Sequence, residues 1–180
     1  MKKFFILILV GFPLFFPVSF PTHAYDMNTP APFFRLKTGD DQEVTRDILK
    51  GKVLSVLYET KEVVEKNRPL KTALKNYSQT MPEDMKIQYA RVPVVKCFPV
   101  SWPIIKIWQY KLKENSKKEG ISLYGDWDGK MFADYEMTDN ESNFLIIDKK
   151  GFIRYRAAGK IEDEEIKKII ELLKNLLKES

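Results

Sequence analysis

The chain has 180 residues, the size of one domain, and its 30 basic against 25 acidic side chains give a charge of +5, too mild and interspersed for a nucleic-acid footprint. Its single cysteine, Cys97, excludes an intrachain disulfide and any thiolate zinc or iron–sulfur site within one chain. Its only histidine, His23, lies in a segment read below as a leader. The mature chain would therefore lack an imidazole for a Ser-His-Asp or Cys-His nucleophile, a metal ligand or haem attachment. No cofactor, metal or haem is expected.

Residues 1–24 have the form of a secretory signal. Lys2 and Lys3 provide the positive start, residues 4–20 the apolar stretch, and Thr22, His23 and Ala24 a small-residue cleavage site. Pro13 and Pro17 interrupt the apolar run, which falls short of the roughly 20 residues a spanning helix needs. The competing reading is an uncleaved N-terminal anchor, and only that reading brings a membrane into contact. No cysteine follows the cleavage site to carry a lipid. A chain starting at Tyr25 keeps 156 of the 180 residues, with 28 basic against 25 acidic, a charge of +3. Such a domain buries roughly 68–70% of its unfolded surface and needs no disulfide.

Residues 25–32 read as an extended arm, with Pro30 and Pro32, and residues 33–180 as one domain. Residues 33–37 and 42–45 flank the turn 38–41 as a small hairpin. Residues 53–58 form a nearly continuous apolar run rich in β-branched residues, the mark of a strand covered on both faces. A turn and a helix follow. Thr60 is its expected N-cap, Glu62 and Glu65 lie near its first turn, Val63, Leu70, Leu74 and Tyr77 fall at helical spacing, and Pro69 is expected to kink it. Residues 81–84 read as a loop.

Residues 87–97 are a second strand, which Pro93 demotes toward an edge or a bulge. A helix capped by Ser101 is expected to run from Pro103 through Trp108 and Leu112 to a stop at Gly120. Residues 121–124 read as a short strand, 125–130 as a turn and 131–135 as a brief helix. Residues 143–148 and 152–157 form a hairpin around Gly151. Ile166, Ile169, Ile170, Leu173, Leu176 and Leu177 draw one stripe on a C-terminal helix over 161–178, with acidic residues at its start and lysines at its end.

The order is hairpin, β, α, β, α, short β, β-hairpin, α. It resembles the thioredoxin-like superfamily: α/β, a central mixed β-sheet with helices on both faces, and an N-terminal β-hairpin. The segments 123–135 and 142–151 resemble the late strand, Asp-x-Asp-Gly turn, short helix and terminal hairpin of redoxins. Within the superfamily, Gly51-Lys52-Val53, a cysteine-free turn running into Glu65-Lys66-Asn67, the stretch 115–119 and the two C-terminal elements resemble the YtfJ-type family. These are secreted bacterial proteins with a redoxin-like fold and no Cys-x-x-Cys. Active redoxins carry their thiols in the turn after the central strand and a cis-proline before the late strand. Here that vacated turn reads Glu59, Thr60, Lys61, Glu62 and Glu65 without a cysteine. Glu141, Ser142 and Asn143 hold no proline. The resemblance implies a periplasmic location and no redox chemistry at the usual place, and it carries no catalytic role to any residue.

Several residues admit two readings. Glu62 and Glu65 pair for acid–base or cation work, or merely complement a helix dipole. Asp126, Asp128 and Gly129 begin like a calcium loop but lack its later ligands, so a β-turn suffices. Cys97 is a buried inert thiol, or a reactive one assisted by Lys96. Phe98, Trp102, Trp108 and Tyr110 either fill the core or form a partner-binding patch. The expected function is a secreted, non-catalytic binding or scaffold protein with an unidentified periplasmic protein as partner. The alternative is a one-cysteine thiol oxidoreductase or peroxidase using Cys97.

Overall fold

The computed structural model describes residues 28–179; the expected leader, and residues 25–27 of the arm, lie outside them. The sheet is built on β4 (Val53–Glu59), whose seven residues are all buried. Alternation sends Val53 and Leu57 to one face and Leu54, Val56 and Tyr58 to the other. A strand between two covering layers must be apolar on both sides, which is why its sequence reads as a run rather than an alternation.

β4 pairs in parallel with β5 (Tyr89–Lys96) and antiparallel with β7 (Asn143–Ile147). The remaining strands are β1 (Thr29–Pro30), β2 (Arg35–Lys37), β3 (Glu43–Thr45), β6 (Tyr124–Asp126) and β8 (Phe152–Ala158). Together they make one mixed eight-stranded sheet in the order β1-β8-β7-β4-β5-β6-β2-β3. Helices α1 (Arg68–Thr80) and α5 (Asp163–Lys178) cover one face, packing Leu70, Leu74, Ile169 and Leu173 onto Leu57, Phe144 and Ile146. Fully burying each such side chain stabilises the fold by about 1.5–3 kcal/mol. On the other face Phe34, Leu36 and Val44 meet Met131 of α4 (Lys130–Asp134) and Tyr135. The expected thioredoxin-like α/β architecture with its N-terminal hairpin is the one observed.

The differences have local causes. The expected arm is extended, but Thr29 and Pro30 add to the sheet as a strand on β8. A helix running from Thr60 would press the Pro69 ring against the carbonyl of Glu65. Residues 61–67 form successive turns instead, α1 begins at Arg68, and Pro69 sits in its first turn, where a missing N–H is harmless. Pro69 therefore starts the helix rather than kinking it, and Glu62 and Glu65 precede it. β5 lies inside the sheet, not at an edge. Its ladder with β6 begins only at Val94, so Pro93 falls where β5 is paired on the β4 side alone. The expected strand 121–124 is displaced to β6 because its first residues close a helix. The amide of Ile121 reaches the Ser116 carbonyl, and that of Leu123 the Ser116 hydroxyl. Residues 81–84 hold the start of a short helix, α2 (Glu83–Lys86).

Helix α3 (Ile104–Glu119) starts three residues beyond Ser101 and ends at Gly120 in the left-handed conformation, φ 63°. Of its residues only Leu112 is buried. It rests instead on the β2–β3 turn, where Gly39 approaches its backbone. A Cβ at Gly39 would stand 2.3 Å from the Gln109 carbonyl oxygen. Gly39→Ala is therefore expected to lever α3 off the hairpin and destabilise the protein by about 1–3 kcal/mol, read by urea unfolding, with faster proteolysis within α3.

Candidate functional site

The parallel strands β4, β5 and β6 end at one rim, with Glu59 beside Val95 and Lys96 beside Asp126. β7, running the other way, begins there, with Asn143 beside Tyr58. Open α/β sheets place ligands outside the carboxyl ends of their strands, so this rim is where a site belongs.

Its centre is filled by polar side chains that bond to one another. Glu59, only 6% exposed, accepts a hydrogen bond from the Ser142 hydroxyl at 2.7 Å and pairs with the Lys71 ammonium at 2.6 Å. Asn67, 1% exposed, donates to the Ser142 oxygen at 2.9 Å and the Gly159 carbonyl at 2.8 Å, and accepts from the Ile161 amide at 2.8 Å. Asn67 stands at the N-cap position of α1 but makes no cap bond, because its amide is committed elsewhere. Lys66 and Glu141 pair across the outside of this cluster. Burial raises the Glu59 carboxyl above its usual range against the opposing pull of Lys71 and Ser142. The other turn residues face solvent or stay unengaged. Lys61 and Glu62 pair weakly at 3.5 Å, Glu65 pairs with Arg68, and the Thr60 hydroxyl is buried. Glu62 and Glu65 do not converge on a common ligand.

A second buried group lies under the neighbouring strands. Asp126 is 0% exposed; its Oδ2 accepts from the Tyr58 hydroxyl at 2.9 Å and the Phe132 amide at 3.0 Å, and its Oδ1 has no partner among the described residues. Burial raises this carboxyl too. Cys97 lies beside it, 1% exposed, with its amide bonded to the Asp126 carbonyl. Burial, then the nearby Asp126 charge, push the Cys97 thiol up to about 12. Lys96 does not offset this: its ammonium pairs with Asp139 at 2.6 Å and lies 4.4 Å from the Phe132 ring centre. Asp128 accepts the Lys130 amide at 3.0 Å in the tight turn before α4. Among the described residues no cluster of three or more His, Cys, Asp or Glu is placed to hold a metal.

The four aromatic candidates separate. Trp102 is 78% and Tyr110 65% exposed, together with Ile104 and Ile107. Trp108 is half-buried, and Phe98 packs edge-on against Phe132 at 5.6 Å. On α3, Ile107 is three residues from both Ile104 and Tyr110, so the three share a face, with Lys111 and Lys106 one turn from Ile107 and Tyr110.

Sequence reading passed over Asn67, Lys71 and Tyr58 as functional groups and weighed Asp126 only as the start of a calcium loop. Nothing in a strand-ending glutamate or a lysine on α1 announces that they meet. The one available signal was a polar residue at Ser142 where a redoxin would hold its proline.

Residues 41–176 match the family described as bacterial protein of unknown function (YtfJ_HI0045). The chain belongs to this YtfJ family. No curated protein sequence matches the chain. Solved structures match across most of its length. A candidate protein disulfide isomerase from Bacteroides thetaiotaomicron aligns over 85% of this chain and 91% of its own, at TM-score 0.64 and 19% identity. A thiol:disulfide interchange protein of the thioredoxin family from Chlorobium tepidum aligns over 83% and 97%, at 0.56 and 16%. BsSco, of the Sco family of cytochrome c oxidase assembly proteins, aligns over 87% and 99%, at 0.59 and 11%. At these identities the likeness is one of fold, and it makes this YtfJ protein thioredoxin-like.

Two outcomes follow from the buried groups. Asn67→Ala leaves the Ile161 amide and Gly159 carbonyl without partners and is expected to cost about 2–3 kcal/mol in urea unfolding. Asp126 has a raised folded pKa, so the folded state holds its proton more tightly than the unfolded chain. That contribution is present in acid and lost as pH rises through the folded value. Asp126→Asn, which keeps the neutral shape, should therefore gain melting temperature relative to wild type as pH climbs from the carboxylate range toward neutrality.

Proposed function

We propose that this protein is a secreted, cysteine-independent thioredoxin-fold binding protein that captures a periplasmic protein partner on α3. The carrying observation is the contrast between a thiol sealed beneath the strands and an apolar stripe open to solvent. Trp102, Ile104, Ile107 and Tyr110 make a patch of the kind that marks interaction surfaces, and aromatic residues dominate the energy of such contacts. Lys106 and Lys111 beside it favour a partner whose apolar contact is bordered by carboxylates.

The export reading rests on the leader-like residues 1–24. Among the described residues no helix is long and apolar enough to cross a membrane. The structural relatives named for thiol:disulfide interchange suggest a common scaffold whose rim has here been turned to non-covalent contact. The alternative, a thiol oxidoreductase or peroxidase built on Cys97, draws no support from a thiol that burial keeps protonated at neutral pH.

The test is capture from a periplasmic extract by wild type, Cys97→Ser, Trp102→Glu and Ile107→Glu in parallel, with melting temperatures recorded. The expected result is one partner kept by Cys97→Ser, weakened by salt, and reduced at least tenfold by either glutamate at unchanged melting temperature. A partner lost with Cys97→Ser alone contradicts the proposal and favours the thiol reading.

A further inference from the structure

At the opposite rim of the sheet lies a small open cavity of about 100 Å³. Two segments far apart in sequence form it: the turn 46–50 after β3 and the β7–β8 turn at 149–151. Its floor is aliphatic, from Leu49, Leu54 and Ile147. Its walls carry four cations, Arg46, Lys50, Lys149 and Lys150, and one acid, Asp47.

Two of the cations are held in place. The Arg46 guanidinium donates to the Ala31 carbonyl, and the Lys149 ammonium donates to the carbonyls of Leu177 at 2.9 Å and Glu179 at 2.6 Å. The Ala31 carbonyl leaves the Arg46 charge intact, whereas the Leu177 and Glu179 carbonyls are the negative end of α5 and take up part of the Lys149 charge. Lys50 and Lys150 are exposed at the mouth. Among the described residues, no ion pair within 4.0 Å includes any of the four. The nearby Asp148 is already engaged, with Arg154 and with the amides of Lys150 and Phe152. Folding thus gathers like charges around one concavity in which Asp47 is the one carboxylate. That costs stability through mutual repulsion and conflicts with the ion pairing found elsewhere on the surface. Such a conflict is relieved by a bound anion. A fixed guanidinium from Arg46 with the exposed Lys50 and Lys150 at the mouth suits a tetrahedral oxyanion, which accepts several charge-assisted hydrogen bonds at once.

The geometry points to a phosphate-binding site at this cavity, one that takes a phosphate group either free or as the headgroup of an anionic lipid. Gly151, at φ +87° with nothing within 4 Å of where a Cβ would stand, leaves the mouth open. No α3 residue lines the cavity, so the site is separate from the partner surface.

The test compares wild type with Lys50→Gln/Lys150→Gln, and with Lys106→Gln/Lys111→Gln on α3 as a control of equal charge change. Melting temperatures are measured in inorganic phosphate and in sodium chloride at equal ionic strength. Sedimentation is measured with vesicles of phosphatidylglycerol and of phosphatidylcholine. Wild type and the α3 control should melt higher in phosphate than in chloride, and the cavity variant should lose that difference. In chloride the cavity variant should melt no lower than wild type, since it sheds repulsion. Sedimentation with phosphatidylglycerol alone, lost in the cavity variant, assigns the phosphate to a lipid; a response to inorganic phosphate without it assigns a free ligand. The site is overturned if the cavity variant keeps the full phosphate shift, the mark of a general salt effect, or if wild type answers neither phosphate nor vesicles.

Discussion

One carboxamide ties the rim together. Asn67 bonds to Ser142 before β7, to Gly159 after β8 and to Ile161 before α5, while standing at the head of α1. Through Ser142 the same chain of bonds reaches Glu59 at the end of β4, and through Glu59 it reaches Lys71 on α1. Four stretches of chain that meet only because the fold brings them together are thus fixed by side chains that, Lys71 apart, have almost no exposure. Buried polar groups are tolerable only when each finds its partners, and here nearly all do. A fully satisfied interior network specifies one arrangement, and it leaves little unoccupied hydrogen-bonding capacity for chemistry.

That closure bears on function because of where it lies. The carboxyl ends of the parallel strands are where a sheet of this kind exposes reactive groups, and relatives in fold are named for thiol chemistry. In this YtfJ protein the position is closed by Glu59, Ser142, Asn67 and Lys71. The one thiol lies below the surface beside the buried Asp126, where both burial and charge keep it protonated. Beyond β5 the chain carries an exposed apolar stripe on Trp102 and α3, and α3 is held to the domain chiefly through its contact with the hairpin at Gly39 and through Leu112. The lysine-lined cavity lies at the β7–β8 turn and shares no lining residue with that stripe.

Much of the fold was legible because its signals are local. The run at 53–58, the hairpin at Gly151 and the stripe from Ile166 to Leu177 each state their structure within a few residues. Boundaries were misplaced where a distant group decided them. Pro69 marks a helix start rather than a kink, because the carbonyl four residues earlier leaves no room for its ring. Pro93 is tolerated inside the sheet because β6 begins one residue later. The site was much less legible. The absence of a thiol in the turn could be read directly, but the partners of Asn67 lie up to 94 residues away. No short-range pattern encodes such a meeting. The exposure of Trp102 and Tyr110 against the partial burial of Phe98 and Trp108 likewise depends on how α3 sits on the hairpin.

The account turns on a rim that excludes thiol chemistry, and the state of Cys97 reports on it directly. The most direct measurement is a pH titration of the Cys97 13Cβ resonance by NMR in the folded protein. The account predicts no titration step through neutral and moderately alkaline pH, in keeping with a thiol pushed up to about 12. A midpoint at or below the ordinary cysteine value of about 8.5 would contradict it, since the sulfur would then be an available thiolate.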